Sequence, residues 1–338
     1  MAPQDSNGGI AVRLIVRLSE VLLAAGIAAA SLQAARADAD YPCRGTVKII
    51  VPFPAGTITD AQIRIATSNL AQTLGRNVIV ENAPGAYGVT AAERAARADP
   101  DGCTILALTN AVFGIEPMNG IRLPFDPLKF SPITKLARST QLMVVSPDNP
   151  AKTIREFIEW TGTRDATYGA GNTSGRVTGA LFTKIGNARM RRISYSGEPQ
   201  VIVDLLAKRV DTSFLLAALP QVQSGGLRAL AVMSNEQFSG LPGVPAIAEL
   251  YPEFKDIAFV APHSTVVGPP GLSREVAERL SRDICAALKR PDVVARFEKI
   301  GSKPACSTPS EHGLYLSQQS KEWPRIVQEY DLHVSEKN

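Results

Sequence analysis

The stretch from Val47 to Asp60 constrains the fold most. Val47-Lys48-Ile49-Ile50-Val51 is an apolar run of strand type, and Pro52-Phe53-Pro54-Ala55-Gly56 follows as a loop. A helix is predicted to open at Thr59, with Gln62 three residues on completing a capping box. Ile63, Ala66, Leu70 and Leu74 give that helix one apolar face, and Gly75 is placed to end it. A buried strand feeding a tight loop and a helix start is a βα unit whose backbone N–H groups face an anion. The glycine patterns of phosphate-binding and dinucleotide-binding loops are absent from it.

The rhythm continues. Val78–Val80 reads as strand, Thr90 with Glu93 as a second capping box, and Thr104–Leu108 as strand. This β-α-β-α-β order predicts an α/β fold with a doubly wound, mainly parallel sheet. Residues 109–138 read as irregular. Gln141–Ser146 is a strand, and Thr153 with Glu156 a third capping box. The loop Gly169–Ser174 leads a helix carrying Val177, Leu181 and Ile185. Strands at Arg192–Tyr195, Val210–Phe214 and Leu227–Met233 complete a second α/β unit. Residues 234–272 are proline-rich and read as a return connection. Val276, Leu280, Ile284 and Leu288 stripe a helix, and another runs from Asp292 to Ile300. Thr308 with Glu311 is a fourth capping box, with Pro309 at the first helical position. Pro324 is expected to kink or break the last helix. The expectation is two lobes, 41–138 with 234–338 and 139–233, each a doubly wound sheet. The chain crosses between them twice, with a ligand at the strands' carboxyl ends.

Residues 1–37 are read as a signal peptide. Arg13 and Arg17 precede the apolar run Val21–Leu32, and Ala35-Arg36-Ala37 fits a cleavage site, with Ala37-Asp38-Ala39 as the alternative. Export to the periplasm follows, where disulfides persist. Of the four cysteines, Cys43 and Cys103 precede the first and third strands, and Cys285 and Cys306 flank one helix and a turn. The pairs Cys43–Cys103 and Cys285–Cys306 are therefore expected. A net charge of +4 without charge runs argues against nucleic acid. With three histidines in all and no Cys/His cluster, neither metal nor cofactor is expected.

The loop at Val51-Pro52-Phe53-Pro54 resembles the signature loop of the Bug/TctC solute-binding proteins of tripartite tricarboxylate transport systems. Further matches are Glu81-Asn82-Ala83-Pro84-Gly85-Ala86, Asp99-Pro100-Asp101-Gly102, Leu123-Pro124-Phe125-Asp126-Pro127, Tyr195-Ser196-Gly197, Leu227–Val232 and Leu241-Pro242-Gly243-Val244-Pro245. The resemblance covers about Tyr41 to the C-terminus. It implies a type II-like, hinge-bending periplasmic binding protein of the Venus flytrap kind, monomeric, serving membrane permease subunits of a tripartite tricarboxylate transporter.

It also implies a site. Phe53, Ala55, Thr57 and Thr59 lie on the first loop, with Asp60 at the helix start. Asp60 reads either as a carboxylate favoured by the helix dipole or as a pocket-wall residue. Gly85, Ala86 and Tyr87 form the second loop, and Tyr87 either stacks on the ligand or caps the surface. Thr109 and Asn110 follow the third strand. Thr173, Ser174, Arg176 and Tyr195 are the candidates of the second lobe. The chain departs from the family pattern in several places, among them Tyr87 for a glycine, Val89 for an asparagine and Arg176 for a histidine. Thr57-Ile58 replaces two glycines, so the loop is expected to differ in shape. Ser196 replaces a lysine, and Leu215-Leu216 replaces Asp-Asn.

Enzyme chemistry is not expected, because no nucleophile motif is present and His263, His312 and His333 lie far apart. The expected function is capture of a small organic carboxylate between two lobes and delivery to the permease. A ligand sensor of the same fold is the alternative, and a secreted hydrolase the third reading. If Leu215 lines the cleft, a monocarboxylate with an apolar body is favoured over citrate-like acids.

Overall fold

The computed structural model describes residues 41–120 and 122–332. The expected signal peptide lies outside them, as does His333. The strands are β1 (Val47–Val51), β2 (Val78–Asn82), β3 (Thr104–Thr109), β4 (Ser131–Ser139), β5 (Leu142–Val145), β6 (Ala166–Ala170), β7 (Met190–Ser194), β8 (Thr212–Leu215), β9 (Arg228–Val232), β10 (His263–Gly268) and β11 (Ser302–Pro304). The earlier helices are α1 (Ile58–Thr67), α2 (Leu70–Leu74), α3 (Val89–Ala96), α4 (Val112–Asn119), α5 (Ile154–Gly162), α6 (Thr173–Ile185) and α7 (Glu198–Leu206). The later ones are α8 (Leu219–Gln223), α9 (Ile247–Leu250), α10 (Lys255–Val260), α11 (Arg274–Leu288), α12 (Pro291–Lys299) and α13 (Pro309–Glu329).

These strands form two sheets, ordered β11-β4-β10-β3-β1-β2 and β7-β6-β8-β5-β9. Each is covered on both faces, and the period-two alternation of strand side chains assigns the faces. Ile49, Val51, Ile105 and Ala107 pack with α1, α2, α11 and α12. Ile50, Leu106 and Leu108 turn the other way, toward α3 and α13. In the second sheet Met143, Val145 and Phe214 pack with α5 and α6, while Leu142, Val144 and Leu215 pack with α7 and α8. One apolar cluster is continuous from the α13 face of the first sheet to the α6 face of the second.

Both expected disulfides form, with Cα separations of 5.3 Å for Cys43–Cys103 and 5.6 Å for Cys285–Cys306. They lie within bridging distance. Several local expectations are corrected. Helix α1 is capped by Thr57, whose side chain accepts from the Asp60 N–H. Gln62 serves no cap: it is buried, donating to the Ser139 and Ser302 hydroxyls and accepting from Ser264. Helix α3 starts at Val89 behind Gly88 with no side-chain cap, so Thr90 lies inside it. Thr153 does cap α5, but the Glu156 carboxylate reaches the Lys152 N–H instead of closing a box. At Thr308–Glu311 the reciprocal box is complete.

Residues 109–138 and 234–272 are not merely irregular. They contain α4, β4 and β10, and β10 inserts antiparallel between β3 and β4. Residues 247–260 pack against α6, with Phe254 stacked on Phe182 at 5.3 Å between centroids, and so lie on the second sheet's side. Helix α13 runs through Pro324. That proline is exposed, and buried Trp323, Ile326 and Val327 anchor the helix on either side of it.

The pairing pattern fixes how the sheets meet. Strands β1, β2 and β3 are mutually parallel, and β10 is antiparallel to both β3 and β4. Ser139 therefore ends β4 at the same edge as the carboxyl ends of β1–β3. The chain then enters β5, where Leu142 pairs with Leu215 at the carboxyl end of β8. The return leaves the carboxyl end of β9 and enters β10 at His263, opposite Arg138. Both crossings join carboxyl edge to carboxyl edge. The loops after β1, β2 and β3 thus face those after β6, β7 and β8.

Candidate ligand-binding cleft

In the loop after β1, Gly56 takes a left-handed φ of 83°, a conformation that glycine adopts without a Cβ clash. Ile58 begins the helix, so the positive φ that it was expected to resist falls on Gly56. The Thr57 hydroxyl donates to the Pro54 carbonyl at 2.9 Å. Asp60 is 2% exposed and its oxygens are occupied. They accept from the Gly56 N–H at 2.9 Å, from Arg64 Nε at 3.0 Å and from Asn82 Nδ2 at 2.8 Å. Asn82 Nδ2 also donates to the Phe53 carbonyl at 3.0 Å, and Arg64 donates to Asn82 Oδ1 at 2.9 Å. Burial pushes the Asp60 carboxyl up, but Arg64, Asn82 and Gly56 together hold it below the usual carboxylate range. Asp60 is therefore a brace tying β1, α1 and β2 together, not a surface offered to a ligand.

The outer part of this wall is free for contact. Ala55, Gly85 and Ala86 are exposed, and Phe53, Thr57 and Thr59 are half-buried. The N–H groups of Ile58 and Thr59 open α1 without a hydrogen-bond acceptor among the described residues. Ala86 has a φ of 43°, and Tyr87 sits in the short 3-10 turn Ala86–Gly88. The expectation for the Tyr87 side chain falls outside what the structure describes.

The facing wall is built the same way around another acid, Glu198 at the start of α7. It is 9% exposed and accepts from the Leu216 N–H at 3.1 Å, the Ala217 N–H at 2.8 Å and Asn172 Nδ2 at 2.6 Å. Burial pushes the Glu198 carboxyl up, against the pull of those three donors. Asn172 in turn caps α6, with its Oδ1 accepting from the Gly175 N–H at 2.8 Å and the Ser174 hydroxyl at 3.1 Å. One network thus binds the loops after β6, β7 and β8. The first two touch so closely that a Cβ on Gly171 would lie 2.4 Å from the Gly197 carbonyl carbon. The N–H groups of Thr173 and Ser174 open α6 with no acceptor among the described residues.

Leu215 and Asn110 are corrected, and the other expected contacts meet partners within the chain. Leu215 is 1% exposed and packs with Val201 and Leu205, because β8 is an interior strand covered on both faces. It lines no cleft, and the preference for an apolar monocarboxylate loses its basis. Leu216 is half-buried and engaged through its N–H. Asn110 is 2% exposed and wholly used as a staple, donating to the Ala261 carbonyl at 3.1 Å and accepting from the His263 N–H at 3.1 Å. Thr109 pairs with Ser264 and is half-buried. The Tyr195 hydroxyl donates to Asp204 at 2.7 Å and its ring packs on the α7 face, so it ties β7 to α7. Burial and that carboxylate push its hydroxyl up to about 12. Arg176, in the first turn of α6, is half-buried and acts electrostatically on Tyr168.

Sequence reasoning missed Arg64, Asn82, Asn172 and Glu198. Asn172 carried a readable signal, an Asn immediately before a helix. Glu198 carried no such signal, because the donors that meet it come from the loops after β6 and β8.

Residues 62–332 match the profile of a family described as the tripartite tricarboxylate transporter family receptor. Protein BugT of Bordetella pertussis strain Tohama I is 30% identical over 328 residues, covering 94% of this chain and 97% of that protein. The structure of the periplasmic binding protein BugD superposes with a TM-score of 0.74 at 25% identity, covering 85% of this chain and 98% of that one. A Rhodopseudomonas palustris protein solved with adipate gives a TM-score of 0.76 at 23% identity, over 85% and 97% of the two chains.

Proposed function

Since the chain belongs to the tripartite tricarboxylate transporter family of receptors, we propose that it is an exported solute-binding protein acting in the periplasm. It captures a small organic carboxylate between its two lobes and delivers it to a membrane permease of that transporter class. The observation that carries this reading is the pair of open helix starts. Ile58 and Thr59 in one wall, and Thr173 and Ser174 in the other, present N–H groups without acceptors among the described residues, at two edges that face each other. Such groups with the helix dipole behind them bind an anion without needing an arginine. One carboxylate end on each wall fits a compact diacid, and adipate in the R. palustris neighbour is of that class. Ligand contacts to both walls favour the closed over the open arrangement, which is the signal a permease reads. The ligand leaves chemically unchanged.

Native mass spectrometry of protein purified without refolding, followed by calorimetry with mono-, di- and tricarboxylates, tests the reading. Retained or titratable organic acid is expected. No binding across that series, together with binding of neutral solutes, overturns it. Uptake of the labelled ligand in a strain lacking the chain then separates delivery from sensing, since loss of uptake is the result expected for delivery.

A further inference from the structure

A cavity of about 540 Å³ lies away from the cleft, on the far side of the two crossings. The sheet orders place it. The cleft loops follow β1, β2 and β3 on one side of β4 and β10, whereas this cavity is bounded by the end of β4, by β11 and by the chain leaving β9. None of the loop residues assigned above to the cleft lines it. Its size is that of a small-molecule site.

The lining has a charged end and an apolar wall. Arg138 and Lys303 converge on one carboxylate, Glu236, with the Lys303 contact at 3.6 Å. The Arg138 side chain is 23% exposed, well withdrawn from solvent. Lys289 makes no ion pair among the described residues, and Glu298 is the second acid. Three cations against two carboxylates leave room for a single negative charge. Phe238, Leu288 and Val294 form the apolar wall.

We propose that this cavity is a second small-molecule site, which takes an amphipathic monoanion. Its carboxylate shares Arg138 and Lys303 with Glu236, and its apolar body lies on Phe238, Leu288 and Val294. The site is separate from the cleft ligand and stands whether or not that ligand is a diacid.

The test uses the full mature chain and octanoate bearing an alkyl diazirine, with the matching diazirine alcohol as the neutral control. Photolabelled protein is digested and the label mapped by mass spectrometry. Saturable labelling of peptides covering 232–239 or 288–306 is expected. The carboxylate should label roughly tenfold more than the alcohol, the factor that about 1.4 kcal/mol from one charge-assisted hydrogen bond supplies. Val294→Trp, which fills the cavity from its wall, should abolish that labelling, and Lys303→Gln should lower it, each with an unchanged circular dichroism spectrum. If a variant fails to fold, unlabelled octanoate must still compete the wild-type label away. Label confined to the cleft peptides 52–60, 83–90 and 171–176 overturns the proposal. So does labelling by acid and alcohol alike, or no saturable labelling.

Discussion

Replacing Asp60 with Asn separates a brace from a ligand contact. The carboxylate is 2% exposed and receives Gly56 N–H, Arg64 Nε and Asn82 Nδ2, every neighbour a donor. An amide there keeps one oxygen and turns an N–H₂ toward either Gly56 or Asn82. One charge-assisted bond is lost, about 1.5–3 kcal/mol, and a buried donor is left facing another donor, at a further cost of about 1 kcal/mol or more. The expected loss is about 3 kcal/mol at pH 7, read as a shift in the urea midpoint at unchanged slope. The sign of its pH dependence follows from the lowered carboxyl pKa. Stability that depends on the ionised form is complete above the unfolded value near 3.8 and is lost as pH falls through the lower folded value. The gap between wild type and Asp60→Asn is therefore flat from pH 7 to 5 and narrows only in stronger acid. Calorimetry adds the functional arm. Carboxylate affinity falls because the loop carrying Gly56 loosens, and the loss should be matched by Asn82→Ala, which touches the same brace from β2. A midpoint shift worth less than about 0.5 kcal/mol at pH 7, or a gap that persists unchanged at pH 3, would refute the reasoning.

Two further outcomes are expected. Gly171→Ala places a Cβ 2.4 Å and 2.6 Å from backbone atoms of Gly197 and Glu198. Thermal melting should show a loss of about 1–3 kcal/mol, together with weaker ligand binding, and an unchanged melting temperature sinks the close-approach argument. His312 is fully buried on α13, and burial with nearby Lys135 pulls its pKa down to about 3. The unfolded chain then takes up the proton first, so stability is complete above about pH 6.5 and falls by about 1.4 kcal/mol per pH unit below it. Urea titrations at pH 7.5 and 5 should show His312→Phe sparing about 2 kcal/mol of the acid loss; parallel losses in both proteins contradict it.

Strand β1 was legible to the residue, because a run of β-branched residues broken only by Lys48 and stopped by Pro52 has few other readings. The Cys pairs were legible because strand order alone brings Cys43 beside Cys103. Strand β4 was not, since Pro132 interrupts its run and its pairing with β10 shifts register twice, which breaks the alternation that marks a strand. The Thr59–Gln62 pattern is a valid local signature that Thr57 pre-empts, because tertiary partners on β4, β10 and β11 claim Gln62. At Leu215 a gain of apolar character was read as a change of ligand, whereas the side chain belongs to a core that composition does not locate. Glu198 stayed hidden for a related reason: its partners stand 18 to 26 residues away, and only the folded sheet collects them.

The two buried acids bear on how fast a ligand is caught. Each draws its loops into one shape through bonds internal to its own wall, before any solute arrives. A solute meeting such a wall does not wait for segments to order, and little of its binding free energy is spent on ordering them. On the proposed reading, what remains to be done after first contact is a swing of one sheet's unit against the other about the two chain crossings. Encounter then proceeds near the rate set by diffusion and patch orientation, while differences between solutes are expressed in how long the swung state lasts.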